Sequence, residues 1–275
     1  MKRRPRPPQA GPPRATAARC RLAAALIGTG VLMGSGTVDA GDLYLRAGAG
    51  LDRPADTRFT DRDCSSTSPA ALYGCGRGGD GEPYRSLGGF GTAATFQVGL
   101  GYAAAPTARI EVLVDYWPRL AFEGRTNFLE PGRRQSVAAD LSSLSGMLAA
   151  YVDLPGLGLP EFGPFGPFIG VGVGAARTRI DETRMTFPRT ITVVPGASRV
   201  GFAWMLTAGV AAVLGERTTL DLAWRYTDLG AVHTGRGEGR VVWRDGSREP
   251  RVLDLAATQA RLASHGLRLS LRYAF

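Results

Sequence analysis

Beyond residue 40 no stretch stays apolar for the ~18 residues a spanning helix needs, yet apolar and polar residues keep changing places with a period of two. Such alternation, in pieces of about ten residues, belongs to strands whose two faces meet different surroundings. The final residues show it most clearly. Leu267, Leu269, Leu271, Tyr273 and Phe275 share one face, and Arg268, Ser270 and Arg272 share the other. The same reading predicts eight strands, near 42–52, 93–103, 108–118, 143–154, 167–178, 200–213, 218–228 and 262–275. In the first, Leu43, Leu45 and Leu51 oppose Tyr44, Arg46 and Asp52; in the third, Ile110, Val112, Val114 and Tyr116 oppose Arg109, Glu111 and Asp115. Glycine takes the second face of the fifth strand at Gly170, Gly172 and Gly174, which leaves room for side chains in a narrow interior.

A soluble sandwich also alternates, with apolar residues inside. Two features favour the inverse arrangement, a barrel with lipid outside and polar groups within. Aromatic residues of the apolar face gather at strand ends: Phe96, Tyr116, Phe202, Trp204, Trp224 and Tyr226 at one rim, Tyr102, Tyr273 and Phe275 at the other. Those are the two interfacial girdles of a membrane barrel. Connections also alternate in length. Residues 53–92, 119–142, 179–199 and 229–261 read as long polar loops, and 104–107 and 214–217 as tight turns, with 155–166 longer than a turn requires. The expectation is therefore an all-β, eight-stranded antiparallel up-and-down transmembrane barrel spanning 41–275, with long extracellular loops and short periplasmic turns. Its interior would hold an ion network of Arg46, Arg109, Glu111, Asp115, Asp221, Arg225, Arg268 and Arg272, because an unpaired charge buried there is strongly destabilising.

The net charge of +9 is unevenly placed. Seven basic residues (Lys2, Arg3, Arg4, Arg6, Arg14, Arg19 and Arg21) precede residue 40 against Asp39 alone, leaving about +3 for the rest, too little for the persistent field of a nucleic-acid binder. A basic start, the short apolar run Leu22–Met33 and the small residues up to Ala40 have the order of a secretory signal peptide, cleaved after residue 40. A retained anchor is the alternative. Cys20 precedes the apolar run, so it is misplaced for lipid attachment. Export puts Cys64 and Cys75 in an oxidising compartment, where a local disulfide is the natural reading; as metal ligands two thiols without a nearby histidine are too few.

The closing segment LRLSLRYAF, ending in Tyr273 and Phe275, resembles the insertion signal of bacterial outer-membrane barrels. RYTDLG (Arg225 to Gly230) and the opening LYLRAGAG (Leu43 to Gly50) are similar to segments of the opacity-type and OmpA-like porin family of surface proteins. The resemblance covers most of 41–275 and implies a barrel in the outer membrane, both termini periplasmic, with no catalytic residues to transfer. The chain departs from that pattern in its long first loop with two cysteines and in its extended second turn.

No catalytic, cofactor or metal constellation emerges. Gly170-Val-Gly172-Val-Gly174 lacks the Lys and helix of a phosphate loop, and His233 and His265 stand far apart. His265 has lipid-facing parity, but Ser264 has the opposite one, and Leu267 stands where a lipid A hydrolase of this architecture would place its serine. Asp245-Gly246 suggests a tight hairpin within a β-extension over 239–251, whose Arg236, Arg240, Arg244, Arg248 and Arg251 could meet lipopolysaccharide phosphates or simply face solvent. The expected function is a structural or surface-interacting barrel with a side-chain-filled lumen, against a narrow channel as the main alternative and a lipid A hydrolase as a lesser one. Expected partners are outer-membrane lipid, lipopolysaccharide and the barrel-insertion machinery, with the chain itself monomeric.

Overall fold

The computed structural model describes residues 43–158, 160 and 163–275; the expected signal peptide lies outside them. Eight long strands form the wall: β1 (Leu43–Pro54), β4 (Ala93–Ala105), β5 (Ala108–Thr126), β6 (Ser136–Asp153), β7 (Phe165–Ile180), β10 (Ala197–Gly215), β11 (Thr218–His233) and β14 (Thr258–Ala274). Each pairs antiparallel with its neighbours in that order. The ring closes where β1 meets β14, from Tyr44↔Ala274 to Pro54↔Ser264. The fold is thus the expected eight-stranded up-and-down barrel.

The faces settle which way it is turned. Val112 and Leu269 are 57% and 52% exposed, whereas Arg46 and Glu111 are 3% and 1%. The apolar parity of every long strand points outward: Phe96, Val98, Ile110, Leu148, Val171, Phe202, Leu222 and Leu267 are all exposed. In water a band of this kind would be strongly unfavourable. It is the exterior of a barrel that crosses a bilayer. Among the described residues no helix is long and apolar enough to cross one. At one end two-residue turns join β4 to β5 and β10 to β11. The longer connection from β6 to β7 begins with a single 3-10 turn, Leu154–Leu157, ended by Gly158 at φ 84°.

The other end corrects the reading of 53–92, 119–142, 179–199 and 229–261 as loops throughout. β5 and β6 stay paired up to Arg125↔Ser136, and six short strands continue the sheet: β2 (Thr57–Asp61), β3 (Ser86–Phe90), β8 (Thr183–Thr186), β9 (Thr190–Val194), β12 (Gly237–Trp243) and β13 (Arg251–Leu255). Above the end of β1, the pair β2–β3 bridges from β14 to β5, so the wall rises past the apolar band. β5 was expected to end near 118 because its alternation breaks there: a bulge between Trp117 and Leu120 leaves Pro118 and Arg119 both exposed and moves the inward parity to Leu120 and Phe122. The tight Asp245-Gly246 hairpin is also corrected. β12 and β13 stop pairing at Val241↔Arg251, and a wide loop joins them.

Candidate functional site

The sequence places five arginines on the inward parity, and the fold answers them with five carboxylates. Arg46 Nη1 donates to both oxygens of Glu111 at 2.9 Å, and its Nη2 lies 3.1 Å from Asp221 Oδ2. Arg109 donates to Glu111 at 3.1 Å and to Asp153 at 2.9 Å. Arg272 donates to Asp221 at 2.9 Å, and Arg225 to Asp115 at 3.0 Å. Arg268 forms two parallel bonds of 2.6 Å to Asp52, the fork-to-fork geometry that makes such pairs strong. All eight residues expected inside the barrel are there and engaged. Sequence reasoning omitted Asp52 and Asp153, both on the inward parity. Charge balance would have found them, since three acids cannot neutralise five arginines.

Neutral donors and rings fill the space between the charges. Tyr44 donates to Glu111 at 2.6 Å, Gln97 to Asp115 at 2.6 Å, and Thr95 and Trp117 both donate to Asp52. The Arg109 guanidinium lies 4.7 Å from the Tyr151 ring centre and 4.9 Å from that of Phe168. Glycine makes this possible. A methyl at Gly101 would strike the Tyr44 ring, and one at Gly170 the Tyr151 ring. Gly170 and Gly172 on β7 make a cradle for side chains from the neighbouring strands β6 and β10.

Above the charged zone the interior turns apolar. Trp117, Leu120, Phe122, Leu141, Ile180 and Leu262 are each no more than 2% exposed. Phe122 meets Phe59 and Phe90 edge-on at 5.1 and 5.3 Å, and Phe128 gathers Tyr73, Tyr84 and Phe187 within 5.9 Å. These rings come from three separate connections and cap the barrel. Cys64 and Cys75 are joined by a disulfide, Cα to Cα 4.8 Å, in the first of those connections. Beside it the Asp61 carboxylate accepts the backbone N–H groups of Leu72, Tyr73 and Gly74 at 2.7–3.0 Å, which directs the Tyr73 ring inward. There burial raises the Tyr73 hydroxyl well above its usual pKa, and the group shares a 2.6 Å hydrogen bond with Ser86. Asp80 is held below the usual carboxylate range by the Asn127 amide and neighbouring donors.

Outside, Tyr273 and Phe275 are exposed with ring centres 6.2 Å apart, beside the chain terminus. His265 is exposed and Ser264 buried, on opposite sides of the wall. Of the five loop arginines, Arg240 reaches Glu182 at 3.7 Å, Arg244 donates to the Pro188 carbonyl, Arg248 lies over Trp243, and Arg236 and Arg251 are exposed. Among the described residues no group of three or more His, Cys, Asp and Glu could hold a metal ion.

No protein-family profile matches the chain. An uncharacterised protein of Brucella abortus is 34% identical over 150 residues, 48% of this chain and 50% of its own length. Counterparts in Brucella suis and Brucella melitensis match equally. The chain thus spans about half the length of the curated relatives it matches. Among solved structures, Neisserial surface protein A is 13% identical with a TM-score of 0.43, over 85% of this chain and 97% of its own. The outer membrane protease OmpT of Escherichia coli is 8% identical with a TM-score of 0.45, over 89% and 99%. OprG of Pseudomonas aeruginosa is 14% identical with a TM-score of 0.42, over 86% and 97%.

Proposed function

We propose that this chain is a monomeric outer-membrane barrel of the opacity-type, OmpA-like kind, exported by a cleaved leader and acting as a rigid stalk for its extracellular sheet rather than as a pore or an enzyme. One observation carries this reading: five guanidiniums and five carboxylates neutralise one another inside the wall, beneath an aromatic plug. Eight strands leave an interior that side chains can fill, and here they do. A lumen lined with free charge would attract ions; one whose charges are bound to each other presents no path along which an ion gains what it loses in hydration. The closed ring leaves no unpaired strand edge within the membrane band, which supports a single copy. The exposed Tyr273 and Phe275 at the end of β14 support recognition of that strand by the insertion machinery.

Planar-bilayer recording of the refolded protein tests the stalk against the channel: no unitary steps are expected, and reproducible ones overturn the reading. Electrophoresis with and without boiling tests the barrel itself, which should migrate anomalously until heated. A single unshifted band, with the protein in the soluble fraction, would defeat it.

A further inference from the structure

Strands β10 and β11 run together from Gly215↔Thr218 up to Trp204↔Asp228 and then separate. Above that point β10 continues against β7 as far as Ala197↔Ile180, while β11 continues against β14 from Ala231↔Arg261 to His233↔Gln259. The parting is built in. Asp228 Oδ1 accepts the Gly230 N–H at 2.8 Å, and Gly230 takes φ 80°, which an L side chain rarely adopts. A methyl there would also press on the Phe202 carbonyl. The seam opens as a groove of 650 Å³ on the outer surface.

The lining of this groove is ordered by height. At the extracellular end stand Arg58, Arg199 and Arg261, with half-buried His233 beside them. Below, Phe202 and Trp204 descend the outward parity of β10 toward the apolar band, and Phe202 is 67% exposed. Asp228 is the one carboxylate among the described lining residues, and it is buried and already bonded to Arg261. Among the described residues Arg58 and Arg199 form no ion pair, in contrast to the lumen arginines.

We propose that this seam seats one phosphorylated lipid of the outer leaflet, its phosphate oxygens received by Arg58, Arg199 and Arg261 and an acyl chain lying over Phe202 and Trp204. The inference rests on the membrane reading above. Guanidinium donors give charge-assisted bonds to phosphate, and aromatic rings sit where headgroup gives way to chain. A free phosphate would use the upper half of the groove alone, and an acidic protein would leave the aromatic descent unfilled. A phosphorylated amphiphile matches both halves in the right order.

Native mass spectrometry of the full barrel in nonionic detergent, titrated with bis-phosphorylated lipid A and with its dephosphorylated form, tests this. The phosphorylated form should bind at least about tenfold more tightly. R58E/R199E should abolish that preference, with R58Q/R199Q as the milder pair should the first fail to fold. R133E/R134E, the same charge change in the exposed β5–β6 loop on the far side of the ring, should keep it. Equal binding of the two lipids, retention of the preference in both groove variants, equal loss in the loop variant, or full displacement by inorganic phosphate would each overturn the proposal. The heat shift of the same samples keeps the two readings apart. If the wild type lacks it, the membrane barrel fails; if it is present while lipid A is ignored, only the groove assignment fails.

Discussion

Replacing Asp52 by alanine isolates the contribution of the sealed interior. The carboxylate accepts two bonds from Arg268 at 2.6 Å, one from Thr95 at 2.8 Å and one from Trp117, and the two charged side chains are 1% and 2% exposed. Without it Arg268 keeps its charge with no carboxylate in reach, and breaking a buried pair from one side costs about 3–5 kcal/mol. Arg268→Met alone should cost about the same, for the mirror-image reason. The double variant Asp52→Ala/Arg268→Met leaves no orphan charge, and removing a whole buried pair costs far less than breaking it from each side in turn. Additive singles would predict a loss of about 6–10 kcal/mol, so the cycle should return a coupling of several kcal/mol. Urea unfolding from lipid vesicles, read by tryptophan fluorescence and by the electrophoretic heat shift, measures all four corners. A loss below about 1 kcal/mol for Asp52→Ala is the behaviour of a solvent-screened surface pair. That result would mean water reaches Arg268, and the reasoning for a closed lumen would be wrong.

Three further outcomes follow from neighbouring features. Gly266→Ala should cost about 1–3 kcal/mol through overpacking, because its methyl would meet the Leu51 carbonyl and the Asp52 carboxylate; an unchanged urea midpoint would refute this. Cys64→Ser/Cys75→Ser should free about 2.5–3 kcal/mol of chain entropy in the first connection alone, so limited proteolysis there should accelerate while the barrel keeps its heat shift; a parallel fall in the barrel's own midpoint would contradict that division. Asp80 has a depressed carboxyl pKa, so its contribution to order around Asn127 is complete above the ordinary carboxylate value and is lost as pH falls through the lower, folded one. Hydrogen exchange at the Glu82 and Arg85 amides should therefore gain protection-loss only on acidification below about pH 4, and loss already at pH 6 would refute the assignment.

What was legible in the chain followed from a single geometric fact, that side chains alternate across a strand. It identified the face of Arg46, Glu111, Arg225 and Arg272 without any knowledge of neighbours. Parity names a face and not a partner, which is why Asp52 and Asp153 went unpaired in the sequence reading. Alternation also fails wherever a bulge inserts a residue. At Trp117–Leu120 and at Asp228–Ala231 the pattern slips, and both strands run on past the point where it does. Segments as short as Thr57–Asp61 repeat too few times to stand out from polar loop, although Phe59 is buried and Arg58 exposed as a strand requires. The aromatic cap was out of reach for another reason: Tyr73, Phe128 and Phe187 meet only after three connections have folded over one another.

The placement of the ion pairs explains why closure should be all-or-none. Arg46 on β1 meets Glu111 on β5 across the lumen, two strands away, and also Asp221 on β11, two strands away in the other direction. Asp221 in turn receives Arg272 from β14, and Arg225 on β11 reaches Asp115 on β5, the strand opposite it in the ring. Of these contacts only Asp221–Arg272 joins strands adjacent in the wall, so a partly assembled sheet would leave Arg46 and Arg225 without their carboxylates in a medium that penalises unpaired charge severely. Arg46 reaches Asp221, and Arg268 reaches Asp52, only when β1 has found β14. The same pairs that fill the lumen therefore oppose every open or slipped form of the wall. A barrel built this way favours closure over conduction, which is what a rigid stalk beneath an extracellular sheet requires.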